Sequence, residues 1–373
     1  MRHSSFKLAA LIFGLSAVPL SLLITTEAQQ EPAAAATEAG AAAAPVESTS
    51  EAAPEATAES GGEPAAAEAV AKPIVPRPSE MAVRAVNNPL LRVVNTGKHY
   101  VAVGVYGHIL ISADGTKWNQ VASPVDVMLT SVTFADENNG WAVGHDAVIL
   151  HTADGGETWK QQNFQPELNK PLFDVLFLDA QTGFAVGAYG LMLTTTDGGS
   201  SWAQVAANPV TEDERHFNAL AKLGDGSLMV VGEAGTIGVS ADRGLTWTKL
   251  ATPYESSLFC VIAAGEKGAL IGGLRGNSFF SADVRAGSWK KMQTNSDQSL
   301  FGMAALPGDK VAMVGLNATL LIFEPGKPVH SVPIIDKLGN RQTESLSWLT
   351  MAPDGGLIVV GDAGVQRLDA AKF

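Results

Sequence analysis

One short pattern returns seven times along the second part of this chain and leaves few folds open to it. From about residue 79, an apolar strand ending in Val-Gly or Ile-Gly is followed by a glycine-containing turn and a second apolar strand. The glycines of that pair are Gly104, Gly144, Gly187, Gly232, Gly272, Gly315 and Gly361, at intervals of 40, 43, 45, 40, 43 and 46 residues. A unit of this length cannot bury an apolar face alone and must stack on its copies. The segments Tyr100–Val105, Gly140–Val143, Gly183–Val186 and Gly356–Val360 are short, rich in β-branched or aromatic residues and bounded by turn residues, as strands are. No helical period follows residue 79. The expectation is an all-β chain with a seven-bladed β-propeller over residues 79–373.

A second motif follows the glycine turns and reads Ser/Thr-x-Asp-x-Gly-x-Thr/Ser-Trp. It is complete at Thr152–Trp159, Thr195–Trp202 and Ser240–Trp247, one residue short at Ser112–Trp118, one too long at Ser281–Trp289, and lost from the last two units. This is the Asp-box, or bacterial neuraminidase repeat. Its aspartates are Asp114, Asp154, Asp197, Asp242 and Asp283, and its tryptophans Trp118, Trp159, Trp202, Trp247 and Trp289. The motif describes a hairpin turn in which the carboxylate accepts backbone N–H groups, glycine takes positive φ and Trp packs across the hairpin base. One carboxylate per box is no ligand cage for calcium, so the expected role is structural, with no metal and no cofactor.

The first 78 residues are of other kinds. Met1–Ala28 has Arg2 and Lys7, the apolar run Leu8–Ile24 and then Thr26-Glu27-Ala28, the arrangement of an export signal. The run's 17 residues lie near the lower limit for a membrane span, which leaves a retained anchor as the alternative. No Cys follows it, which does not suit a lipoprotein anchor. Either form expects the rest of the chain to be exported from the cytoplasm. Residues 29–78 read as a disordered linker: of the 43 residues Gln29–Ala71, 18 are Ala, 8 Glu and 4 Pro, with no aromatic to seed a core. The whole chain carries a net charge of −13, which argues against nucleic acid as a partner. The single cysteine, Cys260, excludes an internal disulfide or a multi-thiolate zinc site and reads as a buried strand residue. His151 reads as structural, and Trp141 and Trp348 as core.

In a four-stranded blade, the turns between strands two and three and the connections between blades share one face, and the Asp-boxes occupy the other. The first face gathers His145, Asp146, Tyr189, Glu233 and Arg275 from turns, and Phe173, Arg215, His216, Tyr254 and Glu255 from connections and strand starts. Tyr, His and Arg anchor interfaces, and loops on a rigid scaffold carry function. We take His145, Asp146, Tyr189, Arg215, His216, Tyr254 and Arg275 as the candidate partner-binding residues.

The segments Gly144–Trp159, Gly183–Gly190 and Gly273–Asn277 resemble the photosystem II assembly and stability factor family. The resemblance extends over roughly residues 79–373. It implies a seven-bladed propeller that acts without catalysis on a membrane protein complex to which it is peripheral or tethered, in the periplasm or, in a photosynthetic host, the thylakoid lumen; a monomer is expected. Relatives outside photosynthesis imply an accessory role beside another membrane complex, such as a resistance-nodulation-division-type transporter. The enzymatic alternative is a sialidase-like Asp-box hydrolase, which needs an arginine triad, a Tyr/Glu nucleophile pair and an acid. Tyr254-Glu255 with Asp146 is the conceivable set, but no Arg-Ile-Pro motif precedes the boxes. A propeller binding a small ligand in its central channel is the remaining alternative.

Overall fold

The computed structural model describes residues 74–335 and 338–372, so the signal or anchor segment and nearly all of the expected linker lie outside the described residues. Each repeat forms one antiparallel sheet, with strands in sequence order. The first blade is typical: Leu90–Asn95 nearest the axis, then Tyr100–Gly104, Ile109–Ser112 and the short outer strand Asn119–Val121. Six sheets have four strands and the last has three, Leu346–Met351, Leu357–Gly361 and Gly364–Leu368. The ring closes where the innermost strand of the first blade packs against that of the last. This is the seven-bladed propeller that the repeat predicts.

The sequence pattern follows from the stacking. Second strands such as Gly140–Gly144 and Leu228–Gly232 are buried along their whole length because a neighbouring blade covers each face. Their side chains are therefore continuously apolar rather than alternating. The core is divided into seven apolar clusters, one per blade interface; Val101 and Val103 of the first blade meet Val132 and Leu150 of the second in one of them.

The repeated glycine ends the second strand where the backbone crosses the start of the first strand of its own blade. A Cβ on Gly144 would lie 2.1 Å from the Met128 carbonyl oxygen, and one on Gly315 would lie 1.9 Å from that of Ser299. In the fifth unit this position is Gly273, whose Cβ would meet the Ser257 carbonyl at 2.2 Å, and not Gly272, which faces the side chains of Met303 and Cys260. The Gly-Gly pair hides the register in sequence, and only the backbone approach resolves it.

The Asp-boxes join blades as well as locking turns. In Asp154, Asp197 and Asp242 one carboxylate oxygen accepts a backbone N–H four residues on at 2.9 Å, and the other accepts that residue's hydroxyl. Asp114 does the same with Thr116 and the Lys117 N–H, whereas Asp283 accepts only the Arg285 N–H, as its extra residue requires. The box glycine then lies against the preceding blade: Gly156 over Val101, Gly244 over Phe184 and Gly115 over Ile358. Trp159 and Trp118 donate their ring N–H to the carbonyls of Gly156 and Gly115, and Trp247 packs edge-on against Phe184 of the preceding blade, with 6.3 Å between ring centroids. Arg243–Asp179 and Arg285–Asp225 ion pairs, at 2.7 and 3.0 Å, tie two box turns to the blade before them.

The last unit has no Asp-box strand of its own, and Glu80–Val86, the free segment before the first blade, does not supply one. The Ser79 N–H bonds the Ser123 carbonyl, the Ala82 N–H bonds Gln120 Oε1, and Ala85–Asn87 form a 3₁₀ turn. That turn rests on Gly364, with the Val86 carbonyl where a Cβ would stand. The segment seals the junction by packing while leaving the last sheet three-stranded.

Candidate functional site

The turns between strands two and three are built alike. Gly144 leads into His145–Ala147, Gly232 into Glu233–Gly235 and Gly273 into Leu274–Gly276. The central residue takes the left-handed conformation, with φ of 57° at Asp146, 52° at Tyr189 and 55° at Arg275. Tyr189 and Arg275 are exposed at these tips, and Asp146 is half-buried. The N–H of the residue just after the glycine bonds the incoming connection, as His145 does to Met128 and Leu274 to Ser257. Turns and connections thus form one face, while the Asp-box tips bond the opposite turns, as Gly155 does to Asn138.

On that face the structure brings Tyr189, His216 and Phe173 together. The Tyr189 N–H donates to His216 Nδ1 at 3.0 Å, and the two rings meet edge-on, 4.7 Å between centroids. This bond makes Nδ1 the acceptor and leaves Nε2 to carry the neutral ring's proton. Phe173 meets His216 from the axial side at 6.0 Å, and Lys170 Nζ bonds the Tyr189 carbonyl at 3.2 Å. Glu233 accepts the His216 N–H and donates its own to the His216 carbonyl. Tyr189 is 52% exposed and Arg215 beside it is exposed, so the cluster offers an aromatic platform with cations at its rim.

The remaining candidates occupy other parts of the same face. Arg275 is exposed, at the tip of the fifth blade's turn. Tyr254 is half-buried: its hydroxyl donates to the Leu274 carbonyl at 3.2 Å and accepts from Asn277, while its ring packs on Phe279. Burial lowers the pKa of His145 against the opposing effect of Asp146, so the ring stays neutral at pH 7. Asp146 belongs to the second blade and Tyr254 to the approach to the fifth, and the Tyr254 hydroxyl is engaged by Leu274 and Asn277 rather than by Glu255 or Asp146. Among the described residues no group of three or more His, Cys, Asp or Glu is placed to hold a metal ion. Burial pushes the Cys260 thiol up, leaving it an uncharged core group.

Of the residues at the centre of this face, sequence reasoning placed Phe173 there and missed the rest. Each innermost strand carries a bulge after its first residue, and the seven bulged residues are Leu91, Thr130, Phe173, Asn218, Phe259, Phe301 and Ser347. A bulge re-aims its residue, and here all seven line one axial cavity of about 50 Å³ together with Arg92 and Trp348. The Arg92 guanidinium pairs with Asp174 at 3.5 Å. Asp174 also accepts the Ser131 hydroxyl at 2.7 Å and the Leu220 N–H at 2.8 Å. Four blades therefore meet at one buried carboxylate, and Trp348, expected as core, packs against the apolar cluster between the first and last blades and also walls the axis. A further miss is Tyr106, 64% exposed with φ of 58°, at the place in the first blade that Tyr189 holds in the third. Gly104-Val-Tyr-Gly107 beside Gly187-Ala-Tyr-Gly190 was the available signal.

The family described as "Photosynthesis system II assembly factor YCF48" matches residues 110–365. The photosystem II assembly lipoprotein Ycf48 of Prochlorococcus marinus is 30% identical over 258 residues, 68% of this chain and 75% of the relative. The chloroplastic photosystem II stability/assembly factor HCF136 of Cyanidioschyzon merolae is 42% identical, but over 53 residues, 14% of this chain and only 12% of the relative's length. Among solved structures, YCF48 bound to D1 peptide superposes with a TM-score of 0.61 at 18% identity, covering 79% of this chain and 99% of that one. At that identity the superposition speaks for the fold. With a family match across most of the propeller and blades of the matching architecture, this chain belongs to the photosystem II assembly factor Ycf48 family.

Proposed function

We propose that this chain is an exported, non-catalytic assembly factor that binds an extramembrane segment of a membrane protein on the face made by the strand-two–three turns. The carrying observation is the Tyr189–His216–Phe173 cluster, rimmed by Lys170 and Arg215 and set beside the axial cavity. An aromatic platform with cations at its edge suits a peptide that presents apolar and acidic side chains. The D1 peptide bound by a structural relative is a ligand of the same kind, a piece of a membrane protein. The export-type first segment would place the propeller beside such a client.

Affinity purification from crosslinked membranes tests this reading. The wild-type chain is expected to retain an integral membrane protein that the Tyr189→Ala/Arg215→Ala/Arg275→Ala variant loses, with the variant's melting temperature unchanged. Equal retention by the variant would remove this face from the function.

A further inference from the structure

We propose that the outer edge of the last blade, strand Gly364–Leu368, is a β-augmentation site for a short extended segment of a partner protein. In this segment a polar, non-acidic residue stands immediately before an apolar one. The site lies on the flank of the propeller and is independent of the face described above.

The other six blades define what the slot accepts. Their outer strands are Asn119–Val121, Lys160–Asn163, Ala203–Gln204, Thr248–Lys249, Lys290–Lys291 and His330–Ser331, all short and without an acidic residue. In four of them the aliphatic residue that follows donates its N–H to the carbonyl at the start of the third strand: Val205 to Met192, Leu250 to Ile237, Met292 to Ser278 and Val332 to Leu320, at 2.8–2.9 Å. The pairing register makes Val365 the counterpart of Ile237, since Val360 opposes Val365 as Val231 opposes Ile237. Among the described residues, no outer strand pairs with Gly364–Leu368 and no N–H reaches the Val365 carbonyl. A groove of about 180 Å³ runs along this edge, between Val365–Arg367 on one side and Val86, Thr116 and Trp118 on the other. An exposed row of strand N–H and C=O groups is a template for another strand.

The chain's own linker is a poor occupant. Apart from Ala, its aliphatic residues are Val46, Val70, Ile74 and Val75, which follow Pro45, Ala69, Pro73 and Ile74, so none ends the required pattern. Traced backwards from Val86, the chain also leaves this edge and runs beside the outer strand of the first blade, to Gln120 and then Ser123. A partner in trans is therefore the occupant we assign.

Amide hydrogen exchange on the full-length chain tests the site, with the acetylated peptide Thr-Lys-Leu-Ala-Thr, a copy of Thr248–Thr252, as probe. The N–H and C=O of one strand residue point to the same side, so the Val365 and Arg367 amides face outward. They should exchange freely in the unliganded protein and slow at least tenfold at saturating peptide. The same peptide N-methylated at its Leu nitrogen should protect neither, which reads the register without altering the protein. Val365→Pro, which removes an outward N–H and no hydrogen bond within the sheet, should abolish the effect of the parent peptide. Protection already present at low protein concentration would assign the slot to the chain itself. Protection that grows with protein concentration would assign it to a second copy. Either result overturns the proposal, as does an absence of protection by the parent peptide.

Discussion

The guanidinium of Arg92, on the innermost strand of the first blade, lies 3.3 Å above the ring of Trp348 on the innermost strand of the last. The same guanidinium faces the buried Asp174 carboxylate of the third blade. The two ends of the propeller thus meet through a cation on an aromatic face, within an axis otherwise lined by apolar and neutral polar groups. A closed ring with a three-stranded last sheet has no shared blade to fasten it, and this contact joins the interface from the axial side.

Arg92→Ala should therefore destabilise the fold by about 3–5 kcal/mol, the usual cost of stranding one partner of a buried ion pair. Arg92→Lys should recover only part of that, because an ammonium lacks the planar face that stacks on Trp348. Arg92→Met/Asp174→Asn, which removes both charges, should be more stable than Arg92→Ala alone. Chemical denaturation of the three variants checks the order, and an Arg92→Ala protein as stable as wild type would deny the clasp any role.

Register in the fifth blade can be tested with two neighbouring glycines. A Cβ on Gly273 meets the Ser257 backbone oxygen at 2.2 Å, whereas one on Gly272 meets the mobile end of Met303 at 2.7 Å. Gly273→Ala should cost about 3 kcal/mol, at the upper end for overpacking, and Gly272→Ala clearly less. The reverse order in urea denaturation would contradict the assignment of Gly273 as the repeated glycine.

The Asp-boxes should make stability depend on acid. The hydroxyl of Ser201, its N–H and the hydroxyl of Thr195 hold the Asp197 carboxyl at about 2, and Thr246 and Ser240 do the same for Asp242. A carboxyl whose folded pKa is depressed stabilises the fold fully above its unfolded value of roughly 3.9, and that stabilisation is lost as pH falls towards the folded value. The melting temperature should fall between pH 4 and pH 2. Asp197→Asn/Asp242→Asn should melt lower at pH 7 and show a shallower fall over that window. A variant with the wild-type slope would place the acid sensitivity elsewhere.

The repeat made the fold legible because one physical demand, close backbone approach at the end of each second strand, recurs with the same solution. The Asp-boxes were legible for the same reason, since hydroxyl, carboxylate and glycine stand at the spacing their hydrogen bonds need. The sequence did not reveal that the box presses on the preceding blade, because that contact joins residues far apart in the chain, such as Gly156 and Val101 or Gly244 and Phe184, with no shared pattern. The axial residues were hidden differently. Leu91, Thr130, Asn218 and Ser347 share a position but no chemistry, and it is the bulge, invisible in a string of strand residues, that aims them inward. Tyr254 shows the limit of reading residue type alone: an interface-prone side chain in the expected place has its hydroxyl engaged by Leu274 and Asn277.

The central claim, that the strand-two–three face binds a membrane protein, is tested most directly by site-specific photocrosslinking in intact cells. A photoreactive amino acid would replace Tyr189 on that face and, separately, Leu245, which is 83% exposed on an Asp-box turn of the opposite face. The account predicts an adduct with one integral membrane protein from position 189 and none from position 245. An adduct from 245 alone, or none from 189, would contradict it.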